Sequence, residues 1–268
     1  MLCRYFGISR SGYYKALKVT LKQGIDEQFI VELVLQIRHH HPRIGGKKLY
    51  KLLKQEIDKI DDSIGRDKFF DILRKNKLLV NRRKKYVYTT ESYHRFKVYK
   101  NKLKNKLFTR AHQAWVSDIT YVRTGNGFMY LFLLTDLYSR KIVGWALSDS
   151  LRIEGAIEAL QMALKQCPDT QGLIHHSDRG IQYCSNDYVL LLKKAKIEIS
   201  MTEENHCYEN AVAERVNGIL KDEYSLEETF ATPGQAKKAT RQAVWSYNME
   251  RPHWSLDLCT PDQMHKAA

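Results

Sequence analysis

Three acidic residues occupy positions where a carboxylate can take part in chemistry. Asp118 lies within a run of β-branched and aromatic residues that predicts a strand, and Asp178 directly follows another predicted strand. Glu214 falls in the first turn of a predicted helix, with 35 residues between it and Asp178. A carboxylate in a strand is costly to desolvate unless it is paired or bound to a cation. The pattern therefore predicts a site for a divalent metal ion.

The ligand type indicates which metal the site would take. Carboxylate oxygens suit Mg²⁺ or Mn²⁺, and two such ions about 4 Å apart can hold the attacking and leaving oxygens of a phosphoryl transfer. The sequence has no His and Cys spacing typical of zinc, and the histidines 39–41 have no cysteine pair to join them. The predicted cofactor is Mg²⁺ or Mn²⁺, with two ions in the active state, held by Asp118, Asp178 and Glu214.

The helix predicted over residues 211–223 has two different faces. Its polar stripe, in steps of four, three and four residues, consists of Asn210, Glu214, Asn217 and Lys221. Its apolar stripe consists of Val212, Val216 and Ile219. One face therefore predicts a site and the other a core contact.

The elements that must position these residues follow one order. Strands are predicted over 114–123, 128–135, 141–148, 173–177 and 198–201, and helices over 153–165, 186–195 and 211–223. The order βββαβαβα matches an α/β, ribonuclease-H-like, mixed five-stranded sheet with flanking helices. In such a sheet the first and fourth strands are neighbours, which would bring Asp118 and Asp178 together.

The basic charge lies in the N-terminal part of the chain. The net charge is +14, and residues 1–110 carry 28 basic and 10 acidic residues, against 16 and 20 in residues 111–268. Such an asymmetry favours a module that binds a polyanion, joined to a near-neutral domain. Ser9 or Ser11 can cap a short first helix, and three further basic helices, from residue 26, over 46–57 and over 66–77, suggest a helix-turn-helix.

These patterns predict five segments. They are an N-terminal helical segment (1–22), a basic helix-turn-helix domain (23–90), a basic linker (91–110), a catalytic core (111–224) and a C-terminal helical extension packed on the core (225–268). The lysine-rich run up to residue 106 is either a solvated linker or a stripe that contacts DNA phosphates. Five widely spaced cysteines and no signal-peptide or membrane-spanning run indicate a cytoplasmic protein.

Four segments resemble one known family. Residues 115–121 (WVSDITY), 176–183 (HSDRGIQY), 210–221 (NAVAERVNGILK) and 247–253 (YNMERPH) are similar to the insertion-sequence transposases of the OrfB type, DDE transposases of the retroviral-integrase superfamily. The similarity runs in order across nearly the whole chain, up to residues 256–261. It implies that Asp118, Asp178 and Glu214 are the catalytic acids and that Lys221 contacts DNA.

The resemblance also implies a reaction and partners. Water would cleave one strand at the element end, and the freed 3′-hydroxyl would attack another phosphodiester. The expected partners are DNA, both terminal repeats and target, further copies of the chain in a multimer, and an OrfA protein as partner or fusion; the chain would then be nucleoid-associated, with no membrane partner. His206 and Glu209 depart from the Gly and Asp common in relatives. Glu209 thus rivals Glu214 as third ligand, and the spacing to Asp178 and Lys221 favours Glu214.

Several alternatives stay open at this point. The core could be catalytically idle in a DNA-binding accessory protein, or the enzyme could be a nuclease that only hydrolyses DNA. Asp136 is a turn cap or a fourth ligand, and His176 is a site neighbour or a satisfied strand histidine. The cluster Tyr247, Asn248, Arg251 and His253 is a structural clasp or a DNA contact, and Trp115, Trp145 and Trp245 are expected in the core. The predicted DNA contacts are Lys221, Asn210, Arg179, Lys47, Lys48, Arg82, Arg83, Lys84 and Lys85.

Overall fold

The chain divides into two compact units, residues 1–83 and 84–268. The structure is a computed structural model that describes residues 5, 7, 9–80, 96–203 and 210–267. Among these residues, no helix combines the length and the apolar character needed to cross a membrane. The predicted contacts Arg82, Arg83, Lys84 and Lys85, and the departures His206 and Glu209, lie outside the described residues.

The described residues of the N-terminal unit form three helices. They are α1 (Arg10–His40), α2 (Gly46–Ile60) and α3 (Arg66–Lys75). One face of each helix contributes to a single apolar core, because their apolar residues recur at helical spacing. The core consists of Ile30, Val34, Ile44, Leu49, Leu53, Ile57, Ile64, Phe69, Ile72 and Leu73.

The prediction of a separate, short first helix is wrong, since one helix also spans the predicted segment boundary at residue 22. α1 is continuous across that boundary because residues 10–40 contain no proline, and a single Gly24 inside a helix costs only about 1 kcal/mol. Ser9 caps α1 as predicted, since its side chain accepts a hydrogen bond from the amide of Gly12. The two lysines of α2 that were predicted to contact DNA differ in their exposure. Lys47 is exposed, whereas Lys48 is buried, with 8% of its surface exposed. The predicted DNA contact of Lys48 is therefore not supported by its position.

The second unit is built on a mixed sheet in the order β3-β2-β1-β4-β5. β1 (Ala114–Thr124), β2 (Gly127–Asp136) and β3 (Ile142–Ser148) are antiparallel, while β4 (Ile174–Ser177) and β5 (Glu198–Met201) continue the sheet in parallel with β1. This order confirms the ribonuclease-H-like α/β fold and the adjacency of strands one and four. The predicted strand count is one too low, since the two-residue β6 (Thr229–Phe230) also pairs with β1.

Helices cover both faces of this sheet. On one face, α4 (Ile153–Leu164) and α6 (Asn186–Lys194) pack on Trp115, Phe132 and Val143; the one-turn α5 (Ile181–Cys184) precedes α6. On the other face, α7 (Ala211–Glu223) and α8 (Pro233–Met249) pack on Val122, Leu131 and Leu133, and α9 (Pro261–Lys266) follows near the C-terminus. β1 and β2 alternate their side chains between these two cores, because strand side chains have a period of two.

Two expectations about packing are wrong. Trp245 is 48% exposed, because residues 243, 244, 246 and 247 of α8 occupy the buried side of the helix. The described residues of the predicted linker, 96–110, are attached to the core: Lys102 donates its amide to the Ser200 hydroxyl at 2.8 Å and its ammonium group pairs with Glu198 at 2.8 Å. Trp115 is fully buried as predicted and Trp145 partly buried.

Asp136 lies at the turn between β2 and β3 and is fully buried. Its Oδ1 accepts hydrogen bonds from the amide and hydroxyl of Ser139, and its Oδ2 accepts one from the amide of His112. The prediction of a turn cap is therefore confirmed. The Ser139 hydroxyl also contacts Nδ1 of His265 on α9, whose Nε2 lies 3.1 Å from Nε2 of His112.

The contact between the two imidazoles requires one nitrogen to donate and the other to accept. Trp115 donates its indole N–H to Nδ1 of His112 at 3.3 Å, so His112 carries its proton on Nε2 and donates to His265. His265 then carries its proton on Nδ1 and donates to Ser139. Both rings are neutral in this chain of bonds, which ties α9 to the sheet.

A close approach of β3 and α4 predicts the first testable effect. A Cβ at Gly144 would lie 2.1 Å from the carbonyl oxygen of Ala159, whereas a Cβ at Gly218 of α7 meets nothing within 4 Å. Gly144→Ala should lower the free energy of unfolding by about 3 kcal/mol or more through overpacking, while Gly218→Ala should be neutral or raise it by up to about 1 kcal/mol. Urea denaturation of both variants measures this. Equal stability of the two would contradict the described packing.

The histidine contact predicts a pH dependence of stability. Burial lowers the pKa of His265 to about 4, so the folded protein disfavours the proton that the unfolded chain binds near pH 6.5. Stability should therefore fall as the pH drops from about 6.5 towards 4, by on the order of 2–3 kcal/mol. Urea denaturation at pH 7, 5.5 and 4 measures it, with His265→Gln as the matched control. A variant that loses as much stability as the wild type would refute the assignment.

Candidate active site

Asp118 and Asp178 occupy equivalent positions on adjacent strands. The parallel register of β1 and β4 pairs Val116 with His176, and two residues further along each strand come Asp118 and Asp178. β4 ends at Ser177, so Asp178 lies at the carboxyl end of its strand. The sequence prediction that the fold brings these two acids together is confirmed.

The site lies at a gap along one edge of β1. After β4 ends, that edge is paired again only at Arg123 and Thr124, by β6. The N-terminal half of α7 borders this interval: the side-chain amide of Asn210 donates to the Ser117 carbonyl at 3.1 Å, and that of Asn217 donates to Oδ2 of Asp118 at 2.7 Å. α7 thus covers the gap and places polar side chains against β1 beside Asp118.

The pKa of the Asp118 carboxyl group depends on the charges around it. Its pKa is raised to about 7, chiefly by desolvation and next by the negative charge of Asp178. Hydrogen bonds from Asn217 and from the amide of Ile119 oppose this rise, and the charge of Glu214 adds to it. The negative charges of both other predicted acids therefore act on Asp118, although Glu214 itself is exposed.

The residues present fit a divalent cation in type. A cation would offset the repulsion that Asp118 experiences, and carboxylate oxygens are suitable donors for Mg²⁺ or Mn²⁺. The Oδ1 atom of Asn217 is buried without a hydrogen-bond partner among the described residues, which adds one oxygen beside Asp118. In the described ranges, however, no three His, Cys, Asp or Glu side chains are close enough to hold one ion together. The three acids are thus near one another without forming a closed ligand set.

The residues around Asp178 make mostly structural contacts. Oδ1 of Asp178 accepts a hydrogen bond from the amide of Gly180 at 3.0 Å. Arg179 donates its Nε to the Thr202 carbonyl at 2.7 Å, and buried His176 contacts the Ser200 hydroxyl through Nδ1 at 2.8 Å. The Nδ1 atom of His176 is thus bonded to a hydroxyl on the neighbouring strand, which favours the structural alternative.

The polar stripe of α7 divides into two kinds of residue. Asn210 is 5% exposed and bonded to β1, so it holds the start of the helix, and its contact with DNA stays a prediction. The ammonium group of Lys221 contacts the ring of Tyr121, with Nζ 4.3 Å from the ring centroid. Sequence reasoning assigned no role to Tyr121, although the residue lies in the segment 115–121 that carries the family resemblance.

The C-terminal polar cluster clasps the core. Asn248 exchanges two hydrogen bonds of 2.9 Å with the backbone of Ile142, and the Tyr247 hydroxyl donates to the Arg140 carbonyl. Arg251 is 1% exposed and makes a bidentate salt bridge with Glu223 at the end of α7. Its Nη2 and Nε donate to the two carboxylate oxygens at 2.7 and 2.8 Å. These contacts favour the structural clasp over a DNA contact.

Comparisons with known proteins agree with this architecture. Two models of the integrase core domain match residues 109–207 and 195–261. The chain is similar to the insertion element IS600 uncharacterized 31 kDa protein of Shigella sonnei, with 34% identity over 97% of this chain and 96% of the relative. It is also similar to the transposase InsF for insertion sequence IS3A of Escherichia coli K12, with 29% identity over 98% and 92%.

A solved structure shares the fold at low sequence identity. It is the simian T-cell lymphotropic virus intasome in complex with a PP2A regulatory subunit. The match covers 82% of this chain and 74% of the matched chain, with a TM-score of 0.51 and 16% identity.

The pair of Arg251 and Glu223 predicts a large loss of stability on truncation. Arg251→Ala leaves the partly buried Glu223 carboxylate without its partner, which should cost about 3–5 kcal/mol of unfolding free energy. Lys102→Ala, which removes the exposed pair with Glu198, should cost less than about 1 kcal/mol and is the control. Thermal and urea denaturation provide the measurement. A cost below 1 kcal/mol for Arg251→Ala would show that the clasp does not stabilise α7.

Proposed function

The chain belongs to the insertion-sequence transposases with an integrase core domain, and from this premise we propose that Asp118, Asp178 and Glu214 carry its chemistry. It is a DDE-type enzyme that acts on DNA and catalyses its transposition. The observation that carries the residue assignment is the placement of Asp118 and Asp178 two residues beyond the paired Val116 and His176 of adjacent strands, with α7, the helix of Glu214, bonded to Asp118 through Asn217.

Each acid would have its own part in the site. Asp118 is the fixed member, because Asn217 and the Ile119 amide hold its two carboxylate oxygens. Asp178 is positioned by the end of β4 and by the Gly180 amide. Glu214 is exposed on the first turn of α7, so a change of side-chain rotamer can bring its carboxylate towards the other two and complete the ligand set.

We propose Mg²⁺ or Mn²⁺, two ions in the active state, as the cofactor of this site. Bound by the three carboxylates, divalent cations would stabilise the negative charge that develops on the phosphate during transfer. Asn217 would keep the Asp118 carboxylate in the orientation that faces them. The polypeptide would thereby contribute the placement of the cations, and no covalent enzyme intermediate is needed.

DNA recognition is assigned to the basic N-terminal unit and to Lys221. Lys47 on α2 is exposed, and the run Arg82, Arg83, Lys84 and Lys85 follows the three helices in sequence. Lysines and arginines that meet phosphates release counterions and fix the register of the protein on the duplex. We also propose a multimer that joins two element ends, with terminal repeats and target DNA as substrates and an OrfA protein as partner.

A loss-of-function variant tests the assignment of the acids. Asp178→Asn should reduce cleavage and joining of a labelled element end at least about 100-fold, because loss of several kcal/mol of charge stabilisation removes more than two decades of rate. DNA binding should stay within about twofold of the wild type. Asp187→Asn, an exposed acid on α6, is the matched control and should leave the rate unchanged.

The same assay separates the competing functions. Reactions contain Mg²⁺ or Mn²⁺, with OrfA added in parallel. Joined product that persists in Asp178→Asn would overturn the assignment. Cleavage without joining in the wild type would identify a nuclease that only hydrolyses, and binding without any metal-dependent product would identify an accessory protein.

A further inference from the structure

The ring of Tyr121 lies against the ammonium group of Lys221. The 4.3 Å between Nζ and the ring centroid is a distance at which the negative face of an aromatic ring attracts a cation. Tyr121 lies three residues after Asp118 on β1, and Lys221 lies four residues after Asn217, which holds Asp118. The contact therefore forms one border of the carboxylate site.

Charged groups of both signs surround Lys221. Burial lowers its pKa, the negative charges of Glu227 and Asp118 raise it, and the guanidinium of Arg123 lowers it. Either carboxylate would otherwise attract the flexible lysine, and an ion pair would neutralise its charge. The uncharged ring of Tyr121 attracts the ammonium group without cancelling it.

Phe128 fixes the orientation of the Tyr121 ring. The two rings meet edge to face, with centroids 5.4 Å apart and planes at 77°. Phe128 is directly opposite Arg123 across the hairpin of β1 and β2. The Tyr121 ring thus has an aromatic neighbour on β2 in addition to the Lys221 ammonium group.

We infer that Tyr121 is a positioning residue that holds the Lys221 ammonium group at the border of the site, where it meets a DNA phosphate. The inference rests on the proposed function, in which Lys221 contacts DNA. An unrestrained lysine loses rotamer freedom when it binds a phosphate, so a lysine already held in place binds more tightly. The aromatic face, not the phenol hydroxyl, is the part of Tyr121 that performs this role.

A substitution series at Tyr121 tests the inference. The full chain is titrated onto a duplex that carries the terminal repeat of its own element, at salt concentrations between 50 and 200 mM. Tyr121→Phe and Tyr121→Trp keep an aromatic face and should bind within about twofold of the wild type, whereas Tyr121→Leu should bind about 3- to 10-fold more weakly. Tyr130→Leu, at the cross-strand partner of Tyr121, is the control for lost packing and should keep the wild-type salt dependence.

Lys221→Gln supplies the second arm of the test. It should reduce the slope of log affinity against log salt by about 1, the effect of one lost phosphate contact. Tyr121→Leu should reduce that slope in the wild-type background and have no further effect in Lys221→Gln. Independent effects of the two substitutions, or equal losses in Tyr121→Phe and Tyr121→Leu, would overturn the inference.

Two results distinguish a failure of the inference from a failure of the proposed function. If Lys221→Gln weakens binding and Tyr121→Leu does not, Lys221 contacts DNA without help from the ring, and the positioning role is wrong. If Lys221→Gln leaves both affinity and salt slope unchanged, the proposed DNA contact is wrong and the inference fails with it.

Discussion

The repulsion between closely placed carboxylates is the constraint on which the catalytic unit depends. Asp118 is desolvated beside Asp178 and within the field of Glu214, and its pKa rises to about 7 as a result. No isolated strand or helix would hold such an arrangement, because each carboxylate would turn towards water. The parallel pairing of β1 with β4 fixes two of the acids, and the cores on both faces of the sheet provide the stabilisation that offsets their repulsion.

α7 connects this site to the rest of the unit. Its buried side packs on the sheet through Val216, Ile219 and Leu220, while its polar side carries Glu214 and Asn217. The helix is held at both ends, by Asn210 on β1 and by the pairing of Glu223 with the buried Arg251. The C-terminal extension supplies that arginine. Although it is far from the acids in sequence, it therefore helps to hold the helix that carries Glu214 in place.

The strand pattern made the fold and the acids predictable, since period-two alternation and buried apolar runs depend on local sequence. The contacts that orient those acids depend on distances between elements. Asn210 and Asn217 share one stripe, yet Asn210 bonds the β1 backbone and Asn217 bonds Asp118. Helical period alone also did not separate exposed Lys47 from buried Lys48, and the prediction of a short capped helix missed the continuity of α1.

The charge distribution of the chain follows from what the site requires. A centre that collects carboxylates for cations repels the phosphates of DNA, so most of the attraction for DNA has to come from elsewhere in the chain, and residues 1–110 carry the basic excess. A cation close to the centre is useful only if it does not neutralise the acids. In the proposed site Lys221 meets this condition, because its ammonium group contacts the Tyr121 ring 4.3 Å from the centroid, and a neutral ring attracts positive charge without occupying the carboxylates.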